Sequence, residues 1–300
     1  MKKSGQTINV YTYVWNKVDT PKGVVQIFHG MAEHAKRYTD FAAFLNYNGF
    51  IVYANDHRGH GKTASDIMSL GYIGQDGFNA IVEDEYKITR LIKAQHKNLP
   101  LIILGHSFGS FIAWEYLTRY SHAINGMILS GSALQKGFKI QIGTLITTLQ
   151  HRFIQDTKPN QFIEYLTFGS FNKKFLDTDA KFRWISSDPH QVEKYEKDPY
   201  CGLVFPINFY YYLFRGLKDL YRKEKLAKIR KDIPLLIISG SLDPVGNYSK
   251  SVTKLYKFLL TLNFQDVSLK LFEEDRHELL HEKNKEEVYN YLFNWLKQIP

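Results

Sequence analysis

Gly105-His106-Ser107-Phe108-Gly109 sets a serine between two glycines in the spacing G-x-S-x-G. The chemistry that this spacing serves is attack by a hydroxyl. The serine must stand on a sharp strand-to-helix turn, with its oxygen exposed above a sheet. The glycines let neighbouring chain pass close to it. About 0.07 of random sequences of this composition would contain such a pattern, so its surroundings decide its weight. Pro100-Leu101-Ile102-Ile103-Leu104 before it reads as a buried strand, and Phe111, Ile112, Trp114, Tyr116 and Leu117 after it suit a buried helix. A bland reading, a glycine-rich turn with a capping serine, fits the motif alone but leaves the acid and the histidine further along the chain without a part.

An unactivated hydroxyl needs an adjacent base, and the base needs an orienting acid. In the strand–elbow–helix arrangement the chain order is serine, acid, histidine. After position 190 there are two histidines, His277 and His281. His277 comes after the last apolar run, where a loop reaches the carboxyl edge of a sheet; His281 is expected on the final helix. Asp243 comes after the run Leu235-Leu236-Ile237-Ile238 and precedes Pro244, so it also reads as a helix N-cap. Asp266 and Asp275 are the alternative acids. Developing negative charge needs two backbone N–H donors. The N–H of Phe108, after the serine, is one; that of Met31, in the turn after Val24–Phe28, is the other.

A rival motif overlaps the histidine. His277-Glu278-Leu279-Leu280-His281 is a literal H-E-x-x-H, rarer by chance (roughly 0.02 of sequences) than the serine pattern. A zinc site needs both histidines on one helix face and a third ligand. Asn284 and Glu287 stand where the extended metal motif needs Gly and His. Glu282, Glu286 and Glu287 are too close along the chain to complete a tetrahedral set. No metal and no cofactor is implied.

Six apolar runs must position these residues: Val24–Phe28, Phe50–Ala54, Leu101–Leu104, Gly126–Leu129, Leu235–Ile238 and Val267–Phe272. Their near-continuous hydrophobicity suits strands buried on both faces of a parallel sheet. Helical periodicity fills the gaps at Tyr38–Asn48, Phe78–His96, Phe108–Tyr120, Tyr248–Leu262 and Glu286–Lys297. Alternation of this kind is α/β. The rhythm breaks once, because more than a hundred residues separate Leu129 from Leu235 whereas a crossover needs only about a dozen. Residues 134–230 therefore read as a helical cap inserted between two parts of one core, 1–133 and 231–300. Its expected helices are Ile140–Phe153, Phe162–Leu166, Gln191–Lys197 and Phe209–Lys228.

Composition sets outer bounds. In 300 residues, 44% hydrophobic and 23% charged side chains exclude a disordered or fibrous chain. One cysteine excludes an internal disulfide. The stretch Met1-Lys2-Lys3-Ser4-Gly5-Gln6-Thr7 is basic with no apolar run behind it, and no apolar run is long enough to span a bilayer; the expectation is a cytoplasmic protein without a leader. A net charge of +9 raises nucleic acid as a partner. Residues 131–230 carry 17 Lys+Arg against 10 Asp+Glu, together with 18 of the 45 aromatics, and there is no basic tail or nucleic-acid motif. Basic charge mixed with aromatic side chains suits weak contact with an anionic membrane surface. The run Phe205-Pro206-Ile207-Asn208-Phe209-Tyr210-Tyr211-Tyr212-Leu213-Phe214 is too short to span a bilayer; the expectation is that the insertion is a mobile lid, apolar beneath and basic-aromatic outside, that docks weakly on acidic lipid.

Taken together, the chain resembles the α/β-hydrolase fold, and within it the monoacylglycerol lipase and lysophospholipase-like group. The resemblance rests on His29-Gly30-Met31-Ala32-Glu33-His34 with Arg37-Tyr38, Asp56-His57-Arg58-Gly59-His60-Gly61, Gly105–Gly109, Ser239–Asp243 and Arg276-His277-Glu278. It implies a mostly parallel sheet flanked by helices, and a triad of Ser107, Asp243 and His277 with Met31 and Phe108 as oxyanion donors. It implies carboxylic ester hydrolysis of small lipid-like substrates through an acyl-enzyme, with aminopeptidase or amidase action as the alternative on the same fold. From the group's pattern, Glu33 and Arg37 would bind the glycerol end of the substrate; the plainer reading is an ion pair that holds the oxyanion loop.

Overall fold

The computed structural model describes residues 8–176 and 179–300; the basic stretch Met1–Thr7 lies outside the described residues. Seven strands form one sheet: β1 (Thr12–Trp15), β2 (Gly23–Phe28), β3 (Phe50–Asn55), β4 (Leu101–His106), β5 (Gly126–Ser130), β6 (Leu235–Gly240) and β7 (Val267–Phe272). Their order is β1-β3-β2-β4-β5-β6-β7. All neighbours are parallel except β1, which runs antiparallel to β3. Every residue of β2 to β6 is buried, which explains their continuous apolar sequences. The six apolar runs all form strands. β1 is not among them, because it is a short edge strand with Val14 44% exposed.

Helices cover both faces. α1 (Thr39–Tyr47) and, at the end of the chain, α10 (Lys285–Leu296) place Phe41, Leu45, Val288, Leu292 and Trp295 against Val25, Ile27 and Val52. α2 (Gly77–Gln95), α3 (Phe108–Tyr120) and α9 (Lys250–Leu260) bury Ile81, Ile88, Ile112, Leu117 and Leu255 on the opposite face. A buried aliphatic side chain here contributes roughly 1.5–3 kcal/mol.

The strand order reverses between β2 and β4: from β2 the chain winds outward to β3, then returns past β2 to β4 on its other side. Loops that leave the two adjacent strands at their carboxyl ends then diverge, and the crevice between them is where ligands sit in open α/β sheets. Phe28 lies in register with Gly105, so the turn at His29–Met31 and the elbow at Ser107 meet across that crevice.

Between β5 and β6 the chain forms α4 (Phe138–Phe153), α5 (Gln161–Phe168), α6 (Pro189–Lys197), α7 (Ile207–Asp219) and α8 (Lys223–Leu226). The expected single helix over Phe209–Lys228 is thus two, broken at Leu220–Arg222. Within the run Phe205–Phe214, Phe205, Ile207, Phe209 and Tyr210 are fully buried, packed into the core beneath, while Tyr211, Tyr212 and Phe214 are half-buried. Apart from Leu176, the exposed large apolar side chains described in this segment lie on α4 and α5. Among the described residues, no helix is long and apolar enough to cross a membrane.

Candidate active site

Ser107 adopts φ 51° and ψ −118° between β4 and α3. A non-glycine residue held there costs about 1–3 kcal/mol, a strain found where geometry is functional. The surroundings enforce it. A Cβ on Gly109 would lie 2.0 Å from Phe28 O, and one on Gly105 2.6 Å from Gly109 O. Both motif glycines are therefore demanded by close packing of α3 on the ends of β2 and β4. The Ser107 N–H donates to Ser130 O at 2.9 Å, and Ser110 Oγ donates to Ser107 O at 2.6 Å.

Asp243 is fully buried in the loop after β6. Its Oδ1 accepts the Val245 N–H at 2.8 Å, and its Oδ2 lies 3.0 Å from His277 Nδ1. It does not cap a helix, since α9 starts only at Lys250. His277, in the loop after β7, is also buried. Pairing through Nδ1–H with the aspartate leaves Nε2 as the basic nitrogen. Asp266 is exposed, and Asp275 is buried with one carboxylate oxygen lacking a hydrogen-bond partner; neither pairs with His277. Burial opposes a positive charge on His277, but the charge and hydrogen bond of Asp243, helped by Glu278 and Glu33, raise its pKa above the ordinary 6.5. The ring of His106 lies 4.8 Å from that of His277, centroid to centroid. Burial and this neighbour drive His106 down to about 4, so it stays neutral.

Met31 comes after β2 in a loop where Ala32 has φ 53°. Three bonds fix that loop. The Gly30 N–H donates to Glu33 Oε1 at 2.6 Å, and both the Gly202 N–H and the Tyr195 hydroxyl donate to Ala32 O at 2.9 Å. Phe108 opens α3, so its N–H has no carbonyl partner within the helix. Arg37 spans two carboxylates: it reaches Glu33 Oε2 at 2.8 Å and grips Glu278 through both guanidinium nitrogens at 2.7 and 2.6 Å. Glu33 and Glu278 line the cavity, whereas Arg37 is not among its lining residues.

That cavity measures about 950 Å³ and contains Ser107, Met31, Phe108 and His277 in its wall. Away from Ser107 it is lined by Phe111, Ile140, Ile146, Ile163, Leu213 and Leu217. The segment between β5 and β6 is pinned to the histidine loop. Glu278 N–H donates to Ile185 O at 2.7 Å, Arg276 Nη1 donates to Arg183 O at 2.6 Å, and the Trp184 ring lies 5.0 Å from that of His277. Buried Glu282 joins both sides, accepting the Arg276 N–H at 2.7 Å and the Ser187 N–H at 2.9 Å.

The H-E-x-x-H residues do not share a helix face. His281 does not lie on the final helix; it ends a 3₁₀ turn, Leu279–His281, ahead of α10. Each polar group is engaged elsewhere: His277 by Asp243, Glu278 by Arg37, and His281 Nε2 by Arg37 O at 3.1 Å. Sequence reasoning assigns no structural part to Glu278, Glu282, Trp184 or Tyr195. Glu278 is visible as the residue after the base; the others bond or stack across distant sequence and leave no local pattern.

A mostly parallel seven-stranded sheet with a serine elbow after β4, an aspartate after β6 and a histidine after β7 is the α/β-hydrolase fold. The chain belongs to the serine aminopeptidase, S33 family, whose model matches residues 19–284. It is 28% identical to a monoacylglycerol lipase of Mycolicibacterium smegmatis, covering 94% of this chain and 91% of that protein. It is 26% identical to the monoglyceride lipase of Homo sapiens, covering 95% of this chain and 85% of that protein. A thermostable carboxyl esterase from Bacillus coagulans, solved in complex with glycerol, superposes with a TM-score of 0.90 at 27% identity, covering 100% of this chain and 97% of that one.

Proposed function

We propose that this enzyme hydrolyses carboxylic esters of small lipid-like alcohols, monoacylglycerols foremost, through an acyl-enzyme on Ser107. His277 Nε2 takes the Ser107 proton as Oγ attacks the ester carbonyl, and Asp243 holds the ring and stabilises its charged form. The N–H groups of Met31 and Phe108 receive the negative charge that develops on the carbonyl oxygen. Protonated His277 then gives its proton to the departing alkoxide. Water, activated by the same nitrogen, releases the fatty acid. The observation that carries this reading is the 3.0 Å link from His277 Nδ1 to buried Asp243, with Ser107 on its strained turn in the wall of the same cavity. The long apolar wall suits an acyl chain, and the names of the relatives agree with that.

An aminopeptidase would need a carboxylate available to a substrate amine. The carboxylates that line the cavity are Glu33, Glu278 and Glu164; the first two are already bonded to Arg37 and the third accepts the Tyr210 hydroxyl. The reading is tested by comparing turnover of monoacylglycerols of varied chain length, a lysophospholipid and aminoacyl amides. Turnover of the amides faster than that of every ester would contradict it.

Residues 134–230 act in this reading as a cap over the acyl cavity. The side of the cap that faces lipid is α4, where Phe138, Ile142, Leu145, Leu149 and Phe153 form an exposed stripe, continued on α5 by Phe162, Tyr165 and Leu166. Exposed Lys136, Lys139, Arg152 and Lys158 flank it. Contiguous exposed apolar surface rimmed by cations suits weak docking on anionic lipid.

A further inference from the structure

His34, Asp198 and Cys201 stand outside the serine site, yet one donor atom from each lies within 4.8 Å of the other two. His34 comes directly after the oxyanion loop, Asp198 directly follows α6, and Cys201 lies three residues beyond it. His34 Nε2 sits 2.9 Å from Asp198 Oδ2. A cleft of about 230 Å³ lined by His34, Asp198, Tyr13, Asp56 and Lys62 opens beside the first two, with Cys201 buried behind them, giving an ion an entry path and room for water. Imidazole, carboxylate and thiolate together are donors that zinc and its softer neighbours accept. Around a tetrahedral ion such donors stand about 3.5 Å apart, so the group needs to close by roughly 1 Å.

We propose that His34, Asp198 and Cys201 form a binding site for one thiophilic divalent ion of the zinc or cadmium class, with water in the fourth position. Binding replaces the Cys201 S–H bond by a thiolate–metal bond and releases one proton to solvent; the imidazole binds neutral through Nε2. The site is tied to the oxyanion loop, because the Gly202 N–H and the Tyr195 hydroxyl both bond Ala32 O. Closing the three donors around an ion therefore shifts the segment that carries Met31 and lowers turnover; that consequence, unlike the binding itself, rests on the ester-hydrolase reading.

The test uses the full-length metal-free protein, with Co²⁺ followed by absorbance and Zn²⁺ by calorimetry. One equivalent of Co²⁺ should give a sulfur-to-metal charge-transfer band that Zn²⁺ abolishes. The chain has one cysteine, so that band can come only from Cys201. Cys201→Ser should lose the band and His34→Gln should weaken zinc roughly 10-fold or more. Absence of the band in the unaltered protein, or unchanged zinc affinity in folded His34→Gln, would overturn the site. Both readouts are independent of ester turnover.

Discussion

The guanidinium of Arg37 holds both carboxylate oxygens of Glu278, the residue next to His277, at 2.7 and 2.6 Å, although 241 positions separate the two in sequence. Through Glu33 the same guanidinium reaches the Gly30 N–H, so one buried cation joins the histidine loop to the oxyanion loop. We expect Glu33→Gln and Arg37→Ala to reduce turnover of monoacylglycerol and of p-nitrophenyl butyrate by similar factors. The second substrate has no glycerol, so a loss confined to monoacylglycerol would assign these residues to the leaving group instead. Arg37→Ala should also destabilise the fold by about 3–5 kcal/mol, because it leaves buried carboxylates without their partner. Thermal unfolding measures this.

In the proposed mechanism His277 sets the pH profile. A general base must be unprotonated in the free enzyme, so kcat/KM should rise with pH through its pKa. Since Asp243, with Glu278 and Glu33, outweighs burial and raises that pKa, the acid limb should have its midpoint above 6.5. Asp243→Asn should shift the midpoint downward and reduce kcat by up to about 10⁴-fold. A normal kcat in that variant would move the orienting role to another acid.

Stability should fall in acid. His106 and His60 are depressed to about 4 and about 3 by burial and neighbouring imidazoles, while the unfolded chain protonates them near 6.5. Between those values the unfolded state binds more protons, so stability is intact above about pH 6.5 and is lost as pH falls toward 4 and 3. His106 alone corresponds to a loss on the order of 3 kcal/mol by pH 4. His106→Gln should flatten the dependence of the unfolding temperature on pH over that range; an unchanged slope would exclude this source.

Legibility in the sequence tracks how each feature is buried. Strands β2 to β6 are enclosed on both faces and so spell continuous apolar runs, whereas β1 pairs along one edge and reads as mixed. Ser107, Asp243 and His277 each come within a few residues of such a run, which makes the set legible one residue at a time. The Arg37–Glu278 pair carries no local pattern and needs the folded chain. Periodicity misleads on the cap. Phe138, Ile142, Leu145, Leu149 and Phe153 have the spacing of a buried stripe, yet they face solvent. The 3.6-residue period marks an apolar face without saying what covers it.

That exposed stripe gives a prediction for membranes. The protein should co-sediment with anionic vesicles at low salt and less so at about 0.5 M, where exposed charges are screened beyond roughly 3–10 Å. Replacing Phe138, Leu145 and Phe153 by serine should reduce binding more than neutralising Lys139 and Arg152. Failure to bind anionic vesicles at low salt would rule out docking and leave the cap in place.

We propose Ser107, activated by His277, as the nucleophile. Intact mass and peptide mapping after treatment with a fluorophosphonate test it most directly. One adduct on Ser107 is expected, formed quickly in the unaltered enzyme and slowly in His277→Ala. Ser107→Ala and His277→Ala should each abolish ester turnover, and the double variant should be no worse than either, since such groups act as a unit. An adduct on a different residue, or full ester turnover in Ser107→Ala, would contradict the account.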